Sequence, residues 1–304
     1  MGGVLVSEAV NRRQSIDLMR IVAAFGIVWA HMQAPGMVEG YVALGLFVIL
    51  TAFLSVRSLE RGGARRFWLG RLLRFTLPWV VWSLFYLALD AARTGTVAGL
   101  WTVEDWRTLL YGPAIHLWFL PWVVIVSPVI VLAVAALTTP GRIGVVAVAL
   151  VPVGAGALWL HDNAAPGDPL GQWLFATVPL LFGILSAVRR LRGAFWAPFV
   201  FVAGACGIAL LGWGSVAGAF LLAAALLFEA FWRMDITGVD VTPLARLAMG
   251  VYLVHPFWML VWYRMVPEGL PQPVMAALGA FAVFAVSAAT AWLIRQSAVG
   301  RMLA

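Results

Sequence analysis

Two residues that are costly to place inside a membrane, Arg20 and His31, occur in the first apolar stretch of the chain, Ile16 to Gln33. A charge near the centre of a bilayer costs about 2.5–3.5 kcal/mol on insertion scales, so such residues are candidates for function. In an α-helix their spacing corresponds to three turns plus about 20°, which puts both side chains on one face, about 16 Å apart along the axis. A cation near one membrane surface and an imidazole near the other predict a site that is reached from both sides.

Asp17 precedes Arg20 by three positions, so the two side chains are expected to pair on one helix face. A purely structural interpretation is also open. In that interpretation Asp17 and Arg20 form an ion pair at the membrane interface, and His31 is a hydrogen-bonded residue of the helix bundle.

A cluster of arginines leads into the third apolar span: Arg65, Arg66, Arg71 and Arg74. Arg71 and Arg74 are three residues apart, so on a helix they could close together on one phosphate-bearing ligand. The alternative is ordinary anchoring by basic residues at the inner membrane surface, with Trp68 as an interfacial aromatic. A phosphate-bearing carrier becomes the better interpretation if a reactive group lies deeper in the bundle.

Further candidates for chemistry lie in the outer halves of two later spans. His116 and Trp118 begin the fourth span, and Tyr252 and His255 lie in the ninth. Pro256 has no N–H, so it must leave one backbone carbonyl of that helix without its usual partner. The three histidines sit on separate helices, and no acidic residue joins them at ligand spacing, so no metal site is expected.

The composition predicts an integral membrane protein. The chain has 304 residues, of which 63% are hydrophobic and 11% charged, and its mean hydropathy is +0.97. Soluble domains have about 25% charged residues. All 20 basic residues are arginine, and the formal net charge is +7. Because most of these arginines lie in loops, a role in membrane topology is favoured over nucleic-acid binding.

Apolar runs of about 20 residues predict an all-α polytopic fold with about ten transmembrane helices. The expected spans are 16–34, 41–56, 74–91, 116–137, 143–160, 172–188, 194–211, 215–232, 247–266 and 273–294. With the N-terminus inside, sixteen arginines fall on the cytoplasmic side and three on the outer side, which is the asymmetry of the positive-inside rule. We therefore expect one integral-membrane domain over residues 1–304, with short cytoplasmic tails at 1–15 and 295–304.

Five motifs, in order along the chain, resemble those of the membrane-bound acyltransferase family 3. They are Arg20 followed after ten residues by His31; Phe47-Val48-Ile49-Leu50-Thr51-Ala52-Phe53-Leu54; Arg71 with Arg74; His116-Leu117-Trp118-Phe119-Leu120; and Tyr252-Leu253-Val254-His255-Pro256. Thr51 and Ala52 stand where the family usually has Ser and Gly, so we expect helix packing there to differ.

The resemblance implies transfer of an acyl group, most often acetyl, from coenzyme A to a hydroxyl of a carbohydrate or lipid-linked glycan. It implies ten helices, with acyl-CoA as co-substrate. On this basis Arg71 and Arg74, with Arg65 or Arg66, would hold the donor phosphates. His31 would take the proton of the acceptor hydroxyl, and Arg20 would either orient Asp17 and the helix or contact the donor directly. An acyl-histidine intermediate on His31 is the less economical alternative. The expected acceptor-binding residues are His116, Trp118, Tyr252 and His255.

The expected location is the inner (plasma) membrane of a bacterial cell, with modification of envelope polysaccharide as the process. A second hypothesis is a proton-coupled transporter or flippase of a sugar or lipid, in which the same His and Arg residues form a relay. The Arg71/Arg74 cluster and the lack of a convincing inverted repeat favour the acyltransferase. The sequence leaves open the acceptor, the acyl group and the oligomeric state.

Overall fold

The computed structural model describes residues 13–95, 108–265 and 271–304. Within these ranges the chain is helical and contains no strand. The helices are α1 (Gln14–His31), α2 (Gly40–Arg71), α3 (Leu77–Thr94), α4 (Thr108–Tyr111), α5 (Phe119–Ala136), α6 (Pro140–Ala149), α7 (Val151–Asn163), α8 (Leu170–Arg192), α9 (Ala197–Trp213), α10 (Val216–Arg233), α11 (Thr242–Ala245), α12 (Ala248–Met265), α13 (Gln272–Ile294) and α14 (Gly300–Leu303). Short 3₁₀ segments occupy Met37–Glu39 and Ile115–Trp118, and a π-helical segment occupies Leu72–Thr76.

The all-helical membrane fold expected from the sequence is confirmed. Within the described part of the chain, six helical stretches are long and apolar enough to cross a membrane: Gly40–Thr94, Ile115–Ala136, Pro140–Asn163, Leu170–Arg192, Val216–Arg233 and Gln272–Ile294. The α1 and α12 helices are not among them, and these helices carry the ionisable side chains discussed above. The count of ten crossings and the side of the termini stay predictions.

The outer surface of the bundle is apolar along its helices. Large aliphatic side chains are strongly exposed in the middle or at the ends of long helices, with Leu211 at 93%, Val145 at 71% and Leu132 at 68% exposure. Contiguous apolar surface of this kind is unfavourable in water and indicates a surface that lipid covers.

The α2 helix lies at the centre of the bundle and packs against α1, α5, α8 and α10. It approaches α8 closely at Gly183, where a side chain would come within 2.6 Å of the Ile49 carbonyl oxygen and 2.8 Å of the Ala52 methyl. The expectation that packing at Thr51 and Ala52 differs from the family stays a prediction, and the structure shows how this chain packs there. The glycine that permits close contact is on α8, while Thr51 bonds its own helix at the Phe47 carbonyl, 2.9 Å away.

A sharp bend at Gly63 shapes the end of α2. Gly63 has φ 69° and ψ 171°, which is a left-handed, non-helical conformation that glycine adopts without strain. The bend brings Arg71 back to Ser55, whose hydroxyl accepts a hydrogen bond of 2.8 Å from the Arg71 Nη2 atom. In a straight helix residues 55 and 71 would be about 24 Å apart, so this contact requires the reversal at Gly63.

The segment expected as a C-terminal tail, 295–304, folds back onto the bundle. Its short helix α14 packs against α3 and the π-helical segment, and the indole N–H of Trp82 donates to the Leu303 carbonyl at 3.0 Å. Of the expected N-terminal tail, residues 1–12 lie outside the described residues, and α1 already begins at Gln14.

We predict that the Arg57–Arg74 segment is cytoplasmic, because basic residues are retained on that side. In a Cys206→Ala background, Ala64→Cys should react with an impermeant thiol reagent only after the membrane is opened. Ala164→Cys, which is also exposed and is expected outside, should react in intact cells. Labelling of Ala64→Cys in intact cells would contradict the topology.

Candidate functional site

His31 and His255 come into contact between the end of α1 and the interior of α12. His31 is the last residue of α1, and His255 lies inside α12. The His31 Nδ1 atom is 2.6 Å from the His255 Nε2 atom, and the ring planes are nearly parallel, at 15°, with centroids 4.9 Å apart. This is the geometry of two imidazoles that share a proton edge to edge.

The hydrogen-bond partner of His255 on its other side is a backbone carbonyl. Pro256 cannot donate to the Tyr252 carbonyl four residues earlier, and the His255 Nδ1 atom fills that place at 2.8 Å. It is also 3.2 Å from the Val251 carbonyl oxygen. The carbonyl that Pro256 was expected to leave unpaired is that of Tyr252, and His255 is its hydrogen-bond partner.

These contacts assign the protons in the pair. A carbonyl oxygen only accepts, so the His255 Nδ1 atom must carry a hydrogen. In an uncharged ring the His255 Nε2 atom is then an acceptor, and the His31 Nδ1 atom must be its donor. The His31 Nε2 atom is left with a free lone pair, which is the group a general base needs.

The two rings differ in accessibility. His255 is completely buried, whereas His31 is exposed. A substrate can therefore reach His31 directly. Both ring nitrogens of His255 are already engaged, so His255 is placed to orient its neighbour.

His116 and Tyr252 complete the cluster. The His116 ring lies 5.8 Å from that of His255 and 5.9 Å from that of Tyr252, centroid to centroid. The Tyr252 hydroxyl donates to the His116 carbonyl and so ties the 3₁₀ segment to α12. The His116 Nε2 atom is buried without a partner among the described residues, so it is a polar atom that a substrate could satisfy.

Tyr86 is a member of the site that the sequence analysis missed. Its hydroxyl donates to the Leu253 carbonyl at 2.7 Å, and its ring meets the His116 ring edge-on at 4.9 Å. A tyrosine in an apolar span needs a hydrogen-bond partner, which is the signal that could have identified it.

The remaining predicted acceptor-binding residue, Trp118, is buried at the start of α5. Its ring packs against Phe119 and Trp122, each with centroids 5.8 Å away. The described ring contacts thus place it in the packing layer behind the histidines. Trp101 and Trp106, which precede His116 in the sequence, lie outside the described residues.

Asp17 and Arg20 lie near the opposite end of α1. Their expected ion pair is present, with Arg20 Nη1 at 3.4 Å from Asp17 Oδ1. The buried Asp17 also accepts a hydrogen bond of 3.1 Å from the Thr242 hydroxyl through its Oδ2 atom. At about 1.5 Å per residue Asp17 is about 21 Å from His31 along the helix, so this pair fastens α1 to α11 rather than touching the same reacting atoms as His31.

Arg71 and Arg74 differ from what helical spacing suggested. Arg71 is buried, bonded to Ser55 and stacked over the Phe67 and Phe75 rings at 4.4 and 5.1 Å, whereas Arg74 is exposed. The π-helical turn between them has wider i→i+5 bonding, so side chains three residues apart no longer line up. Arg71 is therefore enclosed by the protein while Arg74 is not, and a joint hold of both on one phosphate stays a prediction.

The other two predicted donor contacts, Arg65 and Arg66, are exposed on the segment after the Gly63 bend. They lie on the same segment as Arg74, from Gly63 to Arg74, which we call the arginine arm. In the described structure their guanidinium groups are free toward solvent. Among the described residues no group of three or more His, Cys, Asp or Glu side chains could hold a metal ion, and the expectation of no metal stays a prediction.

The comparisons with known proteins give one match. The model of the acyltransferase-domain family 3 covers residues 13–295, which includes all the motifs above. No curated protein and no solved structure matches the chain.

The proton assignment in the His31–His255 pair can be measured. Solid-state NMR of the ¹⁵N-histidine protein at neutral pH should give His31 with a protonated Nδ1 and a bare Nε2 atom. His255→Ala should lose this preference and give a mixture of His31 tautomers, because the acceptor of the Nδ1 proton is gone. A wild-type His31 protonated at Nε2 would contradict the assignment.

Proposed function

The chain belongs to acyltransferase family 3, and on that premise we propose that it transfers an acyl group, most simply acetyl, from acyl-CoA to a hydroxyl of a carbohydrate or lipid-linked glycan. The observation that carries the proposal is the bare Nε2 atom of His31, presented on an accessible ring and fixed by His255. A general base with a defined tautomer is what hydroxyl activation requires.

The proposed reaction is a direct transfer. The His31 Nε2 atom takes the proton of the acceptor hydroxyl as that oxygen attacks the thioester carbonyl carbon. The new C–O bond forms, the C–S bond breaks, and the proton passes from His31 to the departing CoA sulfur. During the reaction the His31 Nδ1–H continues to donate to His255, which steadies the imidazolium ring.

Two of the clustered side chains act as positioning residues in this proposal. Both nitrogens of His255 are engaged, and the Tyr252 hydroxyl is committed to the His116 carbonyl. The free Nε2 atom of His116 is therefore the better candidate to contact the acceptor.

The donor phosphates are assigned to the arm that follows Gly63. Arg74, Arg65 and Arg66 are exposed there, and guanidinium groups bind phosphate oxygens in pairs. From Arg74 to Tyr86 is about 18 Å along α3, which is comparable with the extended pantetheine arm of CoA. We place the phosphates on the cytoplasmic side of a bacterial plasma membrane and the acceptor on the outer side.

We predict that His31→Gln abolishes transfer while acyl-CoA stays bound. An amide keeps hydrogen bonding but cannot take a proton, and loss of a general base costs about 10²–10⁴-fold in rate. The measurement is transfer of a labelled acetyl group to envelope glycans, paired with acyl-CoA binding to the purified protein.

Trp118→Phe is the matched control, because its described ring contacts are with Phe119 and Trp122 and not with a histidine. The transfer rate of this variant should stay within a few-fold of wild type. A wild-type protein that binds no acyl-CoA, together with full activity of His31→Gln in cells, would end the acyltransferase proposal. Gradient-dependent uptake or flipping by that protein would instead favour the transporter.

Replacement of Arg71 and of Arg74 by alanine should have different effects. Arg74→Ala should weaken acyl-CoA binding by about tenfold, the value of one charge-assisted contact, with an unchanged melting temperature. Arg71→Ala should lower the melting temperature, because it removes the partner of Ser55 and leaves space between Phe67 and Phe75. Arg71→Lys should not restore it fully, since Lys lacks the planar fork. Equal behaviour of the two alanine variants would contradict this division.

A further inference from the structure

Two guanidinium groups lie over the indole ring of Trp232 at the end of α10. Arg190 is 4.1 Å and Arg13 is 4.5 Å from the ring centroid. The Arg13 Nη1 atom also donates to the Trp232 carbonyl at 2.6 Å. Cation–π contacts and a helix C-terminus each favour one cation, but two like charges on one ring repel each other.

A third cation, Arg57, faces the same group. It lies one turn after Phe53, whose ring is 5.8 Å from the Arg57 guanidinium and 5.5 Å from that of Arg190. Electrostatically Arg57 faces the like charges of Arg61 and Arg13. Among the described residues its guanidinium has neither a carboxylate nor a hydrogen-bond acceptor.

The negative charge present is insufficient. Glu229, buried beneath the cluster, accepts hydrogen bonds from both Arg189 and Arg190, so it is already shared. Glu60, on the same helix as Arg57, pairs with Arg192 at 2.9 Å. This leaves Arg13 and Arg57 without a counter-charge in the described structure, and each guanidinium carries five N–H donors.

The arrangement differs from simple anchoring at a membrane surface, where long basic side chains point freely into the headgroups. Arg190 is held on three sides, by Glu229, Trp232 and the Ser186 carbonyl at 2.9 Å, and its side chain is only 12% exposed. Arg13 is exposed and Arg57 is half-buried. The group therefore combines a firmly held arginine, Arg190, with two arginines that are accessible from outside.

We propose that Arg13, Arg57 and Arg190 form a binding site for a phosphate group, separate from the Arg71 and Arg74 arm. Phe53, beside this site, and Ser55, bonded to Arg71, are two residues apart and thus about 200° apart around α2. The two arginine groups therefore lie on opposite sides of that helix. A phosphate bound by Arg13, Arg57 and Arg190 supplies the missing negative charge and accepts hydrogen bonds from their unused N–H groups.

Such a phosphate can belong to the CoA nucleotide or to a phospholipid headgroup, and two measurements distinguish these sources. The protein is placed in phosphatidylcholine nanodiscs and titrated with CoA and with dephospho-CoA, which lacks the 3′-phosphate. In parallel, protein extracted from phosphatidylglycerol-containing membranes is examined by native mass spectrometry for retained phosphatidylglycerol.

Arg57→Gln should reduce one of these interactions about tenfold, the value of one charge-assisted contact. The Arg57 guanidinium group makes no hydrogen bond in the described structure, so the melting temperature should not change. Arg233→Gln is the matched control: it removes an exposed charge next to Trp232 and should change either interaction less than twofold.

A loss confined to CoA, absent for dephospho-CoA, identifies the nucleotide, and a loss confined to retained phosphatidylglycerol identifies the lipid. Arg13→Gln repeats the test from the other side of the site. If Arg57→Gln and Arg13→Gln match Arg233→Gln in both measurements, the site does not exist. A protein that binds no CoA at all defeats the proposed function but leaves the lipid measurement to decide on this site.

Discussion

The structure depends on satisfying polar groups inside an apolar bundle. Pro256 leaves the Tyr252 carbonyl without its helical partner, and an unpaired carbonyl in this environment is unfavourable. His255 satisfies it and in doing so fixes which of its own nitrogens is protonated. Because the His255 Nε2 atom must then accept, the His31 Nδ1 atom donates across the 2.6 Å contact, and the His31 Nε2 atom is left without a proton. One backbone requirement thus determines the protonation pattern of the candidate base.

The helix α1 connects two regions of different character. At its beginning Asp17 is held by Arg20 and Thr242, so this end is anchored by charge and hydrogen bonds. At its end the His31 ring is exposed and contacts His255. The helix between them holds this ring about 21 Å from Asp17 along its axis. Arg13, which contacts Trp232, directly precedes this anchored end.

The sequence was sufficient for the fold class and for most of the histidine cluster. Helices occupy all the expected spans, because runs of apolar residues separated by Pro and Gly have few other solutions in a bilayer. The family motifs placed His31, His116, Tyr252 and His255 in one site, and the structure brings them together. The Asp17–Arg20 pair followed from helical spacing alone. All of these depend on local spacing or on composition, and such properties can be predicted from one amino-acid sequence.

Tertiary structure decided what depends on contacts between distant segments. The reversal at Gly63 buries Arg71 against Ser55 and leaves Arg74 exposed, although the spacing of these arginines suggested a matched pair. Tyr86 enters the site through a carbonyl 167 positions away. The two arginines on Trp232 come from the beginning of α1 and the end of α8. The sequence by itself determined which residue types were present and which helices would carry them. Their partners, tautomers and exposure were set by packing, because these properties arise from the surroundings of each group.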